Sequence, residues 1–193
     1  MNAAMETLSN FDFREFLRAD LIRQRLLLNG KDTQLPTGIR LWVGVLAPRF
    51  APVLFCRLAH WFFLMRLSPI AKVFSLLNFF LFGIEIAVRC PIGPGLFFPH
   101  TQGTVIGAWR IGANATIFQG VTLGAREVDF SYSETGRPLL GDEVVIGSGA
   151  KVLGGVTIGD RVRIGANSVV LDSIPAGALA VGAPARVVVK SGV

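Results

Sequence analysis

Charge is scarce in this chain, and so are histidine and cysteine. Of 193 residues, 17% are charged and 51% hydrophobic, an apolar composition for a protein of this size. Part of the surface of a single copy must therefore be covered by something else. The two cysteines, Cys56 and Cys90, lie in apolar surroundings outside any Cys-x-x-Cys pattern, which suggests neither a disulfide framework nor a zinc site and fits a reducing cytoplasm. No signal-peptide h-region is visible: Glu6, Asp12, Arg14, Glu15, Arg18, Asp20, Arg23 and Arg25 punctuate the start, so the expected location is cytoplasmic. A long hydrophobic run is missing too. Residues 41–84 are strongly apolar, yet Arg49, Arg57, Arg66 and Lys72 interrupt them, and the longest uncharged piece, Val73 to Ile84, has 12 residues against the ~20 that a membrane span needs.

The charge that is present is mostly positive. A net charge of +6 and a pI near 10.1 suggest an anionic partner. Lys and Arg are scattered, without the clusters of a basic stripe, which argues against nucleic acid.

The second half of the chain keeps a six-residue beat. Leu140, Ile146, Val152, Ile158, Ile164 and Val170 place an aliphatic side chain at every sixth position, and glycine follows four of them. The same beat is read upstream at Val105, Ile111, Ile117 and Leu123, is interrupted over 125–138, and resumes in register at Leu140. Such a repeat predicts a parallel β-helix of hexapeptide rungs, three rungs to a coil and about five coils in all. The segment 125–138 must loop out. The turn-rich end, Ile174-Pro175-Ala176-Gly177 and Val181-Gly182-Ala183-Pro184-Ala185-Arg186, reads as a cap over the last coil.

Before residue 83 the pattern is helical. Asp12 and Glu15 have capping-box spacing, and Phe13, Phe16, Leu17, Leu21 and Leu28 mark one side of a helix over 12–28 that Asn29-Gly30 stops. Residues 31–40 read as a loop, and Pro52 and Pro69 as first-turn prolines of two further helices. The division is thus an apolar helical region, 1–82, and a β-helix domain, 83–189. The helices either bury one another at an oligomer contact or lie in a membrane interface with the Arg residues at headgroup level.

Chemistry has few candidates. His60 sits in an apolar helix and reads as a buried structural imidazole. His100, in Phe97-Phe98-Pro99-His100-Thr101-Gln102-Gly103, falls where the beat is irregular, so it projects from a corner and suits a general base. Glu85, flanked by Ile84 and Ile86, lies nearly one coil upstream and is the expected orienting partner; pairing with Arg89 is the alternative. One histidine in the β-helix is too few for a hexapeptide-helix zinc centre.

Several ordered motifs resemble the hexapeptide acyltransferase superfamily, in particular the serine O-acetyltransferases and their polysaccharide-acetylating relatives. They run from Arg57-Leu58-Ala59-His60-Trp61 through Gly83-Ile84-Glu85-Ile86, Pro99-His100, Gln119-Gly120-Val121-Thr122-Leu123-Gly124 and Gly147-Ser148-Gly149-Ala150-Lys151-Val152-Leu153-Gly154. Ile164-Gly165-Ala166-Asn167-Ser168-Val169-Val170 and the Val181 to Arg186 segment complete the set. The resemblance implies a left-handed β-helix, mainly β with an N-terminal α-helical region, in a homotrimer with acetyl-CoA as co-substrate between neighbouring subunits and no permanent cofactor. It implies His100 as base and Glu85 as its carboxylate. It implies CoA contacts at Gly124, Ala125, Ser148, Gly149, Arg163, Ala183, Pro184, Ala185 and Arg186.

The sequence departs from the serine enzymes at the acceptor. Pro99 stands where they carry an acidic residue before the base, Arg137 stands where they carry a His before Pro, and the loop holds Asp129, Phe130, Tyr132 and Glu134 in place of a glycine-rich stretch. One residue is missing near Trp109. These differences point to acetylation of a sugar hydroxyl in bacterial exopolysaccharide, capsule or O-antigen synthesis, on a glycan or lipid-linked acceptor at the inner face of the inner membrane. Arg137, Trp109 and Tyr132 would then bind the sugar. Serine O-acetylation in cysteine biosynthesis, acyl transfer to an amine and a noncatalytic trimeric scaffold are the other readings.

Overall fold

The computed structural model describes residues 11–30, 47, 49–128 and 131–188. The loop expected over 31–40, and Asp129 and Phe130 of the insertion, lie outside these residues.

Three helices precede the rungs: α1 (Phe13–Asn29), α2 (Ala51–Leu64) and α3 (Ser68–Phe82). Asp12 is the N-cap of α1, its carboxylate accepting from the Arg14 and Glu15 amides at 2.8 and 3.1 Å, which satisfies donors that the first turn leaves open. Phe13, Leu17 and Leu21 pack on the core as their spacing predicts, but Leu28 is exposed. Pro52 and Pro69 occupy the first turns of α2 and α3. Gly83 closes α3 with φ +63°, a left-handed cap that glycine adopts without a Cβ penalty, and the chain enters the first rung at the next residue.

From there the backbone winds as a left-handed β-helix of three parallel faces. The first face stacks β1 (Ile84–Ile86), β2 (Thr104–Ile106), β5 (Thr122–Gly124), β8 (Lys151–Leu153) and β11 (Val169–Val170). The second stacks β3 (Arg110–Ile111), β6 (Leu139–Leu140) and β9 (Thr157–Ile158), extended at its ends by Ile92 and Ile174. The third stacks β4 (Thr116–Ile117), β7 (Val145–Ile146), β10 (Arg163–Ile164) and β12 (Leu179–Gly182), with Phe97 above β4. The last strand, β13 (Ala185–Val188), folds back antiparallel on β12 and covers that edge, as the turn-rich end predicts.

The register explains the repeat. Leu140 sits on Ile158 and Val152 on Val170, each three full rungs apart, so each sixth residue points inward into a column. All six aliphatics from Leu140 to Val170 are buried, each burial contributing about 1.5–3 kcal/mol. Upstream the reading needs one correction. Val105 is 38% exposed and Ile106 is the inward residue at 1%. Ile106 stacks on Leu123, one residue short of three rungs, so the missing residue near Trp109 shortens this rung and moves the inward position by one.

Candidate active site

His100 stands on a widened corner between the third and first faces. Thr116 and Thr122 are one rung of six apart, whereas their partners one coil earlier, Phe97 and Val105, are two residues further apart. The extra length bulges outward and leaves His100 exposed. The corner is nevertheless fixed, because the Thr101 hydroxyl donates to the Phe82 carbonyl at 2.7 Å and the Gly103 amide to the Gly83 carbonyl at 2.9 Å. The C-terminal end of α3 thus holds the backbone that carries the imidazole.

Glu85 projects outward from the centre of β1, between the inward residues Ile84 and Ile86. No hydrogen bond or ion pair joins it to His100 or to Arg89 among the described residues. Glu85 stacks on Val105, and His100 belongs to the widened corner before that strand. Both side chains remain exposed at the same end of the first face.

At the opposite edge of this face the inserted loop forms a compact cluster. The Trp109 and Tyr132 rings lie 6.0 Å apart, and the Arg137 guanidinium carbon sits 4.1 Å over the Tyr132 ring, a cation–π distance. Tyr132 donates to the Ala108 carbonyl at 2.7 Å, Arg137 Nη1 to the Gly107 carbonyl at 2.8 Å, and the Trp109 amide to the Pro138 carbonyl at 2.8 Å. Gly107 leaves room for this contact, since a Cβ on it would lie 2.7 Å from Arg137 Nη1 and make the guanidinium shift. Burial and the neighbouring Cys90 push the Tyr132 phenol up, so it remains a neutral donor. The three residues assigned to the acceptor are therefore brought together.

The residues that the resemblance assigns to CoA are not gathered within one chain. Gly124 and Ala125 lie at the loop edge, where Ala125 and Arg126 line a groove of about 840 Å³ under the insertion. Ser148 and Gly149 are on the His100 edge, between β7 and β8. Arg163 points outward from the third face into a groove beside α1 that also includes Pro99. Ala183, Pro184 and Arg186 belong to the terminal hairpin, and Ala185 is buried beside its turn, opposite Gly182.

His60 is buried, with Nδ1 2.9 Å from the Val88 carbonyl and its ring 5.2 Å from that of Phe11. Burial lowers its pKa, as the structural reading requires. Sequence reasoning missed the pairing of Asp20 with Arg57, which ties α1 and α2 to the first coil. The available signal was an acidic residue on the apolar side of α1, in register with Phe13 and Leu17, opposite a lone arginine in an apolar helix.

The family model for the bacterial transferase hexapeptide (six repeats) matches residues 137–172. A serine acetyltransferase of Helicobacter pylori is 45% identical over 157 residues, which cover 80% of this chain and 90% of the relative. One from Synechococcus elongatus is 44% identical over 147 residues, covering 76% and 59%. Among solved structures, the soybean serine acetyltransferase apoenzyme superposes with a TM-score of 0.76 at 31% identity, covering 93% of this chain and 70% of that one. A serine acetyltransferase in complex with CoA gives 0.73 at 28%, covering 93% and 71%.

These matches overturn the expectation of sugar acetylation in polysaccharide synthesis. The relatives are serine acetyltransferases over 80% of the chain at 45% identity and over 93% at 31%, and differences at Pro99 and Arg137 do not outweigh an identity of that extent. The chain belongs to the serine acetyltransferase family of hexapeptide-repeat transferases and is an O-acyltransferase.

Proposed function

We propose that this protein transfers the acetyl group of acetyl-CoA to the hydroxyl of serine, a step toward cysteine. The observation that carries the reading is the 45% identity spanning 90% of a serine acetyltransferase. The outward imidazole on a fixed corner supplies the matching chemistry.

In this mechanism a ring nitrogen of His100 accepts the proton of the serine hydroxyl as its oxygen attacks the thioester carbonyl. The tetrahedral intermediate collapses with cleavage of the C–S bond, and the imidazolium returns the proton to the departing thiolate. Glu85, exposed at the same end of the first face, is the carboxylate that stabilises the imidazolium. Arg137 supplies positive charge for the serine carboxylate. Pro99 offers no charge to the serine ammonium, so the acceptor is held mainly through its carboxylate.

His100 and Arg137 lie on opposite edges of the first face of one chain, and the CoA-assigned residues are divided between the same edges. This division favours a homotrimer in which the His100 edge of one copy meets the loop edge of the next, with acetyl-CoA between them. The protein would work in the cytoplasm, where both substrates are present. Mass spectrometry of a reaction containing purified protein, acetyl-CoA and L-serine tests the reading: O-acetylserine is the expected product. Its absence, with acetylation of a different hydroxyl compound under the same conditions, would contradict it.

A further inference from the structure

The outer side of α3 lacks the polar residues that a helix facing water carries. Ile70, Val73, Leu76, Phe79, Phe80 and Leu81 are all exposed, Phe80 at 76%. The inner side is set by Ala71 and by Asn78, whose amide donates to the Pro52 carbonyl at 3.0 Å. Apart from Lys72 on its flank, the exposed side of the helix past its first turn is thus apolar, and such a face belongs against a core or a lipid. No helix of the described residues is long and apolar enough to cross a membrane.

Charge identifies what covers this face. From residue 33 to residue 84 the sequence contains no Asp or Glu, while Arg40, Arg49, Arg57, Arg66 and Lys72 all fall within it. Arg57 is consumed by Asp20. Arg66, in the turn before α3, and Lys72, on its flank, are exposed beside the apolar face. Two copies meeting through this face about a twofold axis would offer Arg66 and Lys72 no carboxylate from this stretch. A bilayer of anionic lipid satisfies both features: the acyl boundary takes Phe80, Leu76 and Val73, and the headgroups take Arg66 and Lys72.

We infer that α3 is a docking face by which the protein lies on an anionic lipid surface, without spanning it. The inference is independent of the acceptor. It is tested by flotation of the full-length protein with vesicles of phosphatidylcholine containing about one third phosphatidylglycerol, beside vesicles of phosphatidylcholine alone. The protein is expected to float with the anionic vesicles, less with the neutral ones, and less at high salt. Leu76→Ser with Phe80→Ser should weaken vesicle binding at least about tenfold and leave the mass in sedimentation and the acetyl-CoA turnover unchanged. Arg66→Gln with Lys72→Gln, which leaves the apolar packing intact, should remove the preference for anionic vesicles. Failure of the full-length protein to float would overturn the inference. So would a double serine variant that floats like the original but sediments at a smaller mass, since the face would then belong to another copy of the chain.

Discussion

Arg57 and Asp20 form a two-pronged ion pair, Nε to Oδ2 at 2.8 Å and Nη2 to Oδ1 at 3.0 Å, in which the residues are 1% and 0% exposed. The remaining valences are also used. Arg57 donates to the Ile92 carbonyl and, at 2.7 Å, to the Gly93 carbonyl, and Asp20 Oδ1 accepts from the Leu96 amide at 2.8 Å. One pair thus joins α1, α2 and the first coil, the coil that carries Glu85 and leads to His100.

Breaking that pair leaves a charge buried without its partner, which costs about 3–5 kcal/mol. Asp20→Ala and Arg57→Ala are each expected to lower the melting temperature by about 6–20 °C. Asp20→Leu combined with Arg57→Met removes both charges, leaves the Leu96 amide and the Ile92 and Gly93 carbonyls without these partners, and should lose less than the two single variants together. Thermal denaturation of the three variants checks this. Equal losses in all three would mean that packing, and not the pairing of charge, dominates the junction.

His60 makes stability depend on pH. Burial holds its pKa below the usual ~6.5, so the unfolded chain binds more protons than the folded one below that value. The stabilisation is complete above about pH 6.5 and is lost as the pH falls toward the lower, folded-state value. Urea midpoints measured at pH 7.5 and pH 5.5 should decline for the natural protein. The decline should be smaller for His60→Asn, whose amide donates to the Val88 carbonyl without titrating.

Recognition of serine is expected to rest on Arg137. Arg137→Ala should raise KM for serine roughly tenfold or more with little change in kcat, the signature of lost ground-state binding. Gly107→Ala, by pushing on Arg137 Nη1, should act in the same direction with a smaller effect. Pro99→Asp restores a negative charge next to the base and should lower KM for serine, up to roughly tenfold. Steady-state kinetics with serine as the varied substrate decides each case, and an unchanged KM in Arg137→Ala would place the carboxylate elsewhere.

The β-helix was legible because its core is a one-dimensional code, an inward aliphatic at each sixth position. It misled only at Val105, where a rung short by one residue moved the inward position to Ile106. His100 was legible as a break in the same code, since two extra corner residues are visible as a failed beat. The Asp20–Arg57 junction was not, because its partners lie far apart in sequence and no local period links them. The stacking of Glu85 on Val105 is hidden for the reason that hides Ile106, a coil length that is not uniform. The acceptor was misread because the changes at Pro99 and Arg137 were weighed as losses, although a guanidinium is itself a carboxylate ligand.

Thiol release from acetyl-CoA with L-serine, measured for the natural protein and for His100→Ala, tests the central claim most directly. The account predicts serine-dependent release by the natural protein and a fall in turnover by roughly two to four orders of magnitude in the variant, with CoA binding retained. Release by His100→Ala near the natural rate would remove this residue from the mechanism, and no serine-dependent release by the natural protein would contradict the acceptor itself.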